Sequence, residues 1–191
     1  MAQAQRIAYI NEEDYLVSEE LSPVKREYVD GQVFAMAGAT DAHNVITLNV
    51  AVNLHAHLRG SACRAYVNDM KARIQAINTY YYPDVMVSCG PHNPQAVFTE
   101  TPVIIVEVIS RSTETTDRRE KLANYRKIPT LREYVLIGQR KRLVEVYRLN
   151  DAGEWVYETI RSKDELELNS MPNGPCVISL DEIYEGVILA A

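Results

Sequence analysis

An α/β fold is what this sequence predicts, and three observations predict it. Val103-Ile104-Ile105-Val106-Glu107-Val108-Ile109 is continuously apolar and β-branched apart from one acid, the pattern of a central strand covered on both faces. Asp30-Gly31 and Gly138-Gln139-Arg140-Lys141 each separate two apolar-bearing runs, as hairpin turns do. Cap-forming residues at Thr40-Asp41 and from Ser110 to Asp117 precede stretches with helical spacing.

Taken in order, Asn11 to Glu20 reads as a short amphipathic helix with Tyr15, Leu16 and, at its end, Leu21 inward; Ser22-Pro23 stops it. Arg26 to Met36 is a hairpin, because Asp-Gly supplies the positive φ that both central positions of a type I′ turn need. Glu27 and Val29 share a strand face, so Glu27 is either a solvated edge residue or a third acid aimed at a site. Gly38-Ala39-Thr40-Asp41 provides a turn and a cap for a helix to about Leu58, with Val45, Leu48, Val52 and Leu54 as its core stripe. His43 falls in the first turn, where an imidazole either meets an anion or fills a semi-exposed position. His55 and His57 lie on different helix faces and cannot share one ion.

Arg64 to Val67 and Met70 to Ile74 are further strands. Tyr80-Tyr81-Tyr82 leads into Asp84, and strand alternation turns at least one ring inward to pack. Asp84 opens the short strand Val85-Met86-Val87, and Gly90 to Pro94 is a loop. After Glu107 a helix runs to Pro129, with Asp117 and Glu120 spaced as a capping box and Lys121 and Tyr125 on one face. Arg132 to Ile137 pairs with Arg142 to Leu149, Glu154 to Ile160 extends the sheet, and Val177 to Ile183 gives a last strand and turn.

The whole chain of 191 residues is most simply one domain, residues 1–191. Its 47% hydrophobic and 24% charged residues are the balance of an ordinary soluble protein. The longest apolar run is too short to span a bilayer, so no membrane partner is expected. Met1 to Arg6 has no apolar core of a secretory signal, which makes a cytoplasmic location the default. Cys63, Cys89 and Cys176 are scattered, odd in number and lack a CxxC, so neither a disulfide frame nor a zinc site is indicated. The net charge of −6 is unevenly spread: Arg111 to Arg148 carries +6 and the remainder −12. That basic segment is either a footprint for phosphates or a pair of solvated faces.

Chemistry concentrates at the acids. Glu107 inside an apolar strand costs several kcal/mol of desolvation unless a cation, a metal or hydrogen bonds meet it. Two carboxylates, Asp84 and Glu107, delivered by strands of one sheet would form the oxygen-rich site that Mg²⁺ uses. Against this stand a simple Pro-Asp turn and a strand glutamate paired with an arginine.

Glu27-Tyr28-Val29-Asp30-Gly31, Met36-Ala37-Gly38-Ala39, His43, Asp69-Met70-Lys71, Tyr82-Pro83-Asp84, Glu107-Val108-Ile109-Ser110, Ser112-Thr113, Asp117, Lys121, Tyr125 and Glu133-Tyr134 together resemble the Uma2 family. The resemblance covers nearly the whole chain. It implies a restriction-endonuclease-like α/β domain, a mixed β-sheet flanked by helices, related to nucleases written PD-(D/E)xK. It also implies Mg²⁺-dependent hydrolysis of DNA, with Mn²⁺ as a substitute ion. Asp84 and Glu107 would bind the ion, with the Val108 carbonyl joining them. The usual motif lysine, two residues after the acid, is replaced here by Ile109. Lys121 would supply that cation from the next helix, and Glu27 would be an extra ligand or base. Arg118, Arg119, Arg140 and Lys141 would hold the DNA backbone, and a homodimer would serve cutting of both strands. Two other expectations stay open: an inert nucleic-acid-binding or regulatory module of the same fold, and a metal-dependent hydrolase of a small phosphorylated substrate.

Overall fold

The computed structural model of the chain describes residues 9–110, 113–161 and 164–189. Met1 to Arg6, and Arg111-Ser112 of the cap-rich run, lie outside the described residues. Helix α1 (Glu12–Glu20) is capped by the Asn11 side chain, which accepts from the Asp14 N–H. The hairpin β1 (Arg26–Val29) and β2 (Gln32–Ala35) turns at Asp30 and Gly31, with φ of 43° and 87° as a type I′ turn demands. Helix α2 (Asp41–His57) follows, capped by Thr40. Then come β3 (Arg64–Val67), β4 (Lys71–Ile74), a 3-10 turn at Gln75–Ile77, β5 (Thr79–Tyr81), β6 (Val85–Ser88), β7 (Phe98–Thr99) and β8 (Pro102–Ile109). A π-helical segment, Thr116–Lys121, runs into α3 (Leu122–Tyr125). Strands β9 (Glu133–Gly138), β10 (Leu143–Leu149), β11 (Trp155–Arg161), β12 (Glu165–Leu168) and β13 (Cys176–Ser179), then α4 (Leu180–Ile183), complete the described chain.

The central sheet has the order β11-β10-β9-β8-β6-β3 and is mixed: β8 and β9 are parallel, the other neighbours antiparallel. The unbroken apolar run of β8 is explained by cover on both faces. On one face Ile104, Val106 and Val108 join Ile46, Val50 and Leu54 of α2 and residues of α4, β12 and β13. On the other, Ile105 and Ile109 join Tyr81, Tyr125, Ile128 and Tyr134. A second mixed sheet, β2-β1-β5-β4-β7, lies on that side, and α1 packs Tyr15 against its Tyr28 and Tyr80. The expected α/β class with mixed sheets and flanking helices is what the chain adopts.

Several expectations are corrected. The stripe of α2 is Ile46, Val50 and Leu54, spaced by four, whereas Leu48 and Val52 are 61% and 57% exposed. Val45 is half-buried, because the helix is turned so that the i, i+4 row faces the sheet. Leu21 is exposed and caps α1 rather than packing beneath it. Asp117 does not cap a helix; it lies buried inside the π-helical segment, and Glu120 instead accepts from the Tyr81 hydroxyl. Cys63 and Cys89 are joined in a disulfide. Spacing along the chain hides that bond, because it is set by register: Arg64 pairs with Ser88, which leaves the flanking cysteines opposite each other.

Candidate active site

The register of β6 against β8 builds the site. Val85 pairs with Val106, so one step further Asp84 faces Glu107. Their main chains and side chains interlock: the Val108 N–H donates to Asp84 Oδ2 at 2.7 Å, and the Asp84 N–H donates to Glu107 Oε2 at 3.3 Å. Like charges set opposite each other on a sheet repel, so this geometry persists only with compensation.

Compensation comes from the segment after β8. Lys121 Nζ lies 3.2 Å from Glu107 Oε1, 2.9 Å from Glu27 Oε1 and 3.6 Å from Asp117 Oδ1. The Tyr125 hydroxyl donates to the same Glu107 Oε1 at 2.9 Å, so the residues four apart do share a face. Glu27 is the inward third acid rather than a solvated edge residue, and it also accepts from the Tyr82 N–H. The Tyr134 hydroxyl donates to the Asp117 carbonyl and steadies the π-helical segment. His43 closes the far side, with Nε2 3.0 Å from Asp84 Oδ1.

Four carboxylates, Glu27, Asp84, Glu107 and Asp117, thus meet one ammonium and one imidazole. Burial pushes the Glu107 carboxyl well above the usual range; the charges of Asp84, Asp117 and Glu27 add to that, and Lys121 opposes it. Burial likewise raises Asp117, against Lys121 and a hydrogen bond from Thr113. For Lys121, burial alone would favour the neutral amine, but the carboxylates outweigh it and hold the ammonium charged. Burial works against the charged form of His43 too, and the hydrogen bond and charge of Asp84 overcome it.

This donor set suits a hard divalent cation. Asp84, Glu107 and the Val108 carbonyl offer oxygen alone, and the surplus negative charge is what a divalent ion would offset. Asp117 Oδ1 is buried without a hydrogen-bond partner, and only the Lys121 ammonium 3.6 Å away faces its charge among the described ion pairs. Among the described residues no group of three or more acid, His or Cys side chains is placed to hold a metal ion. Mg²⁺ does not require such a group, since it is held by one or two carboxylates and keeps several waters.

The remaining expected residues fall elsewhere. Arg118 is paired with Glu114 and the buried Glu145 of β10. Arg119, Arg140 and Lys141 are exposed. Ile109 lies on the same strand face as Glu107, where the usual motif would carry its lysine. The sequence offers Asp117 only as a helix cap and leaves His43 open between an anion contact and a semi-exposed position; the structure brings both against site residues. For Asp117 the usable signal was the spacing Asp117, Lys121, Tyr125, one residue per turn on a single face.

The sequence model of Uma2, described as "Putative restriction endonuclease", matches residues 12–178. Uncharacterized protein slr1290 of Synechocystis sp. (strain ATCC 27184 / PCC 6803 / Kazusa) is 35% identical over 179 residues, 93% of either chain. Uncharacterized protein sll1609 of the same organism is 33% identical over 163 residues, 83% of this chain and 92% of that one. A solved structure described as "a putative nuclease belonging to DUF820", from Anabaena variabilis ATCC 29413, matches with a TM-score of 0.73. It covers 94% of this chain and 99% of its own at 15% identity, a likeness of fold. With a family match over most of its length, the chain belongs to the Uma2 family.

Proposed function

We propose that the protein is a metal-dependent endonuclease that hydrolyses DNA phosphodiester bonds with Mg²⁺ as cofactor. The observation that carries this reading is the cross-strand pair Asp84–Glu107 with the Lys121 ammonium seated on Glu107. Family membership and the fold shared with a described nuclease support it. Asp84, Glu107 and the Val108 carbonyl would hold the ion. When bound there, the ion supplies Lewis-acid polarisation of the phosphate and lowers the pKa of a water.

The chain's own groups do the rest. Lys121 places a fixed positive charge where negative charge grows on the phosphate oxygens, and a preorganised charge in a dry site acts strongly. Glu27 of β1 and Asp117, one turn earlier in the segment that carries Lys121, position that ammonium. Tyr125 fixes the Glu107 carboxylate by its hydroxyl. Exposed Arg119, Arg140 and Lys141 would hold the backbone of the substrate without reading its sequence.

A second reading, hydrolysis of a small phosphorylated substrate, is favoured by the net charge of −6 and by the ion pairing of Arg118, Arg142 and Arg148. One experiment separates the two. Purified protein is incubated with supercoiled plasmid, and separately with nucleotides and phosphate esters, with and without Mg²⁺ or Mn²⁺. Ion-dependent nicking that is lost in Asp84→Ala and Glu107→Ala is the expected result. Cleavage of the small esters but not of plasmid would replace the endonuclease reading with the second one.

A further inference from the structure

We infer that Phe34 is a substrate-positioning residue whose ring stacks on an unpaired base beside the scissile phosphate, and that the site therefore takes single-stranded DNA. The inference rests on the nuclease reading of the proposed function and names the form of strand that such a site accepts.

The first ground is the register of the hairpin. Phe34 of β2 stands directly opposite Glu27 of β1, and opposed residues of an antiparallel pair share one face with Cβ atoms about 5 Å apart. Glu27 reaches Lys121 Nζ at 2.9 Å, so that face is the one turned to the site. Alternation agrees on both strands. Tyr28 and Val33 pack with Tyr15 and Tyr80 on the α1 side, while Val29 packs on the other face with Tyr81 and Tyr125. Phe34 is thus the cross-strand neighbour of the acid that seats the lysine.

The second ground is what the ring is free to do. Strand β2 is the edge of its sheet, and Phe34 is 46% exposed there and joins none of the core clusters among the described residues. A lone exposed apolar side chain is ordinary, so position decides its meaning. Three aromatic side chains are exposed among the described residues: Tyr9, Phe34 and Tyr157. Tyr9 precedes α1 and lies over Gly31, and Tyr157 donates to Glu145 from the edge strand β11 of the central sheet. Phe34 is the one whose strand partner is a site carboxylate. Beyond it Ala37-Gly38-Ala39 is exposed, and a Cβ at Gly38 would meet nothing within 4 Å, so the strap from Phe34 to α2 leaves open space.

The third ground is chemical. A flat apolar ring binds a nucleobase through its face, and does so whatever the base. In a duplex those faces are covered by stacked neighbours, and the grooves offer only base edges. The ring therefore needs an unpaired base, and it would hold that strand while the adjoining phosphate meets the Lys121 ammonium seated on Glu107. Supercoiled plasmid remains a substrate on this view, since negative supercoiling favours local opening of the duplex. A small phosphate ester without a base gains nothing from Phe34.

The test reads binding without cleavage, with Ca²⁺ in place of Mg²⁺. Fluorescence anisotropy follows three labelled ligands of about 12 nucleotides: a thymidine strand, an abasic sugar-phosphate chain and a duplex. Wild type, Phe34→Ala, Phe34→Leu and Phe34→Tyr are compared, with thermal melts to confirm that each is folded. Wild type is expected to bind the thymidine strand about tenfold more tightly than the abasic chain or the duplex. Phe34→Ala and Phe34→Leu should lose about tenfold on the thymidine strand and stay within about threefold on the other two. Phe34→Tyr, which keeps the flat face, should retain wild-type affinity. A ring that merely held the hairpin in shape would weaken all three ligands together. Such a uniform loss, an unchanged affinity in Phe34→Ala, or full retention in Phe34→Leu would overturn the inference. So would tighter wild-type binding of the duplex, or no binding of the thymidine strand.

Cleavage with Mg²⁺ is scored separately. Binding of the thymidine strand that depends on Phe34, without cleavage of any DNA, would sustain the stacking role while the endonuclease reading falls. Cleavage that proceeds equally in wild type and Phe34→Ala, with no selective loss of binding, would do the reverse.

Discussion

Glu107 is held at a cost, and the cost can be measured. Burial and three neighbouring acids raise its pKa well above the ordinary carboxylate value. Between the unfolded and folded pKa values the native state binds more protons than the unfolded chain, so metal-free stability falls as pH rises through that window. Glu107→Gln removes the penalty. With chelator present its melting temperature is expected to exceed wild type near pH 7.5, and the gain should fade as pH falls toward 5. A lower melting temperature across that range would show that the carboxylate is structural. Lys121 carries the complementary expectation. Lys121→Ala should lose about a hundredfold in turnover, on the order of 3 kcal/mol of transition-state stabilisation, yet keep its ion, because an ammonium is not a ligand. Since Ile109 shares the face of Glu107, adding Ile109→Lys to that variant should return part of the rate. Full activity in Lys121→Ala alone would remove the lysine from the mechanism.

At the scale of elements, the strands were the most legible part of the sequence. A β-branched run covered on both faces, and an Asp-Gly turn that needs positive φ, each admit few other structures; β8 and the β1–β2 hairpin follow from them. Glu107 was legible for the same reason, since an acid inside such a run must be met by something. What depended on register or rotation was not legible. Helix α2 contains apolar residues on more than one face, so its sequence alone did not distinguish the Ile46 row from the Leu48 row. Asp117 has the spacing of a cap, and it enters the site because it lies one turn before Lys121 on the face turned toward Glu107. The cap of α2 gives this scale its prediction. Thr40 bonds both the His43 N–H and Gln139, so Thr40→Ala should cost about 1 kcal/mol, while Thr40→Ser should cost less. Chemical denaturation of the three proteins checks this, and an unchanged midpoint for Thr40→Ala would mean that α2 is held by its apolar row alone.

Over the whole molecule the question is how a chain of net charge −6 would approach a polyanion. The basic excess between Arg111 and Arg148 is partly spent within the fold. Arg118 pairs with Glu114 and Glu145, Arg142 with Asp181, and Arg148 with Glu133 and Glu158. Arg126 lies over the Tyr147 and Trp155 rings. Arg119, Arg140 and Lys141 are exposed and make no ion pair among the described residues. The parallel register of β8 and β9, Ile109 beside Gly138, sets the Arg140–Lys141 turn at the end of the sheet where Glu107 emerges. The two basic pairs should therefore behave differently. Arg140→Glu with Lys141→Glu should leave stability unchanged, weaken DNA binding and lower the slope of log affinity against log salt by about 2, since each phosphate contact contributes about 0.9. Arg118→Glu with Arg119→Glu should instead destabilise the fold, because Glu145 is buried and would lose its cation to a second carboxylate. Anisotropy titrations over a range of salt, paired with thermal melts, read both effects. An unchanged salt slope in the Arg140–Lys141 variant would mean that the substrate enters past another face, and a stable Arg118–Arg119 variant with reduced binding would move the phosphate contacts onto the π-helical segment.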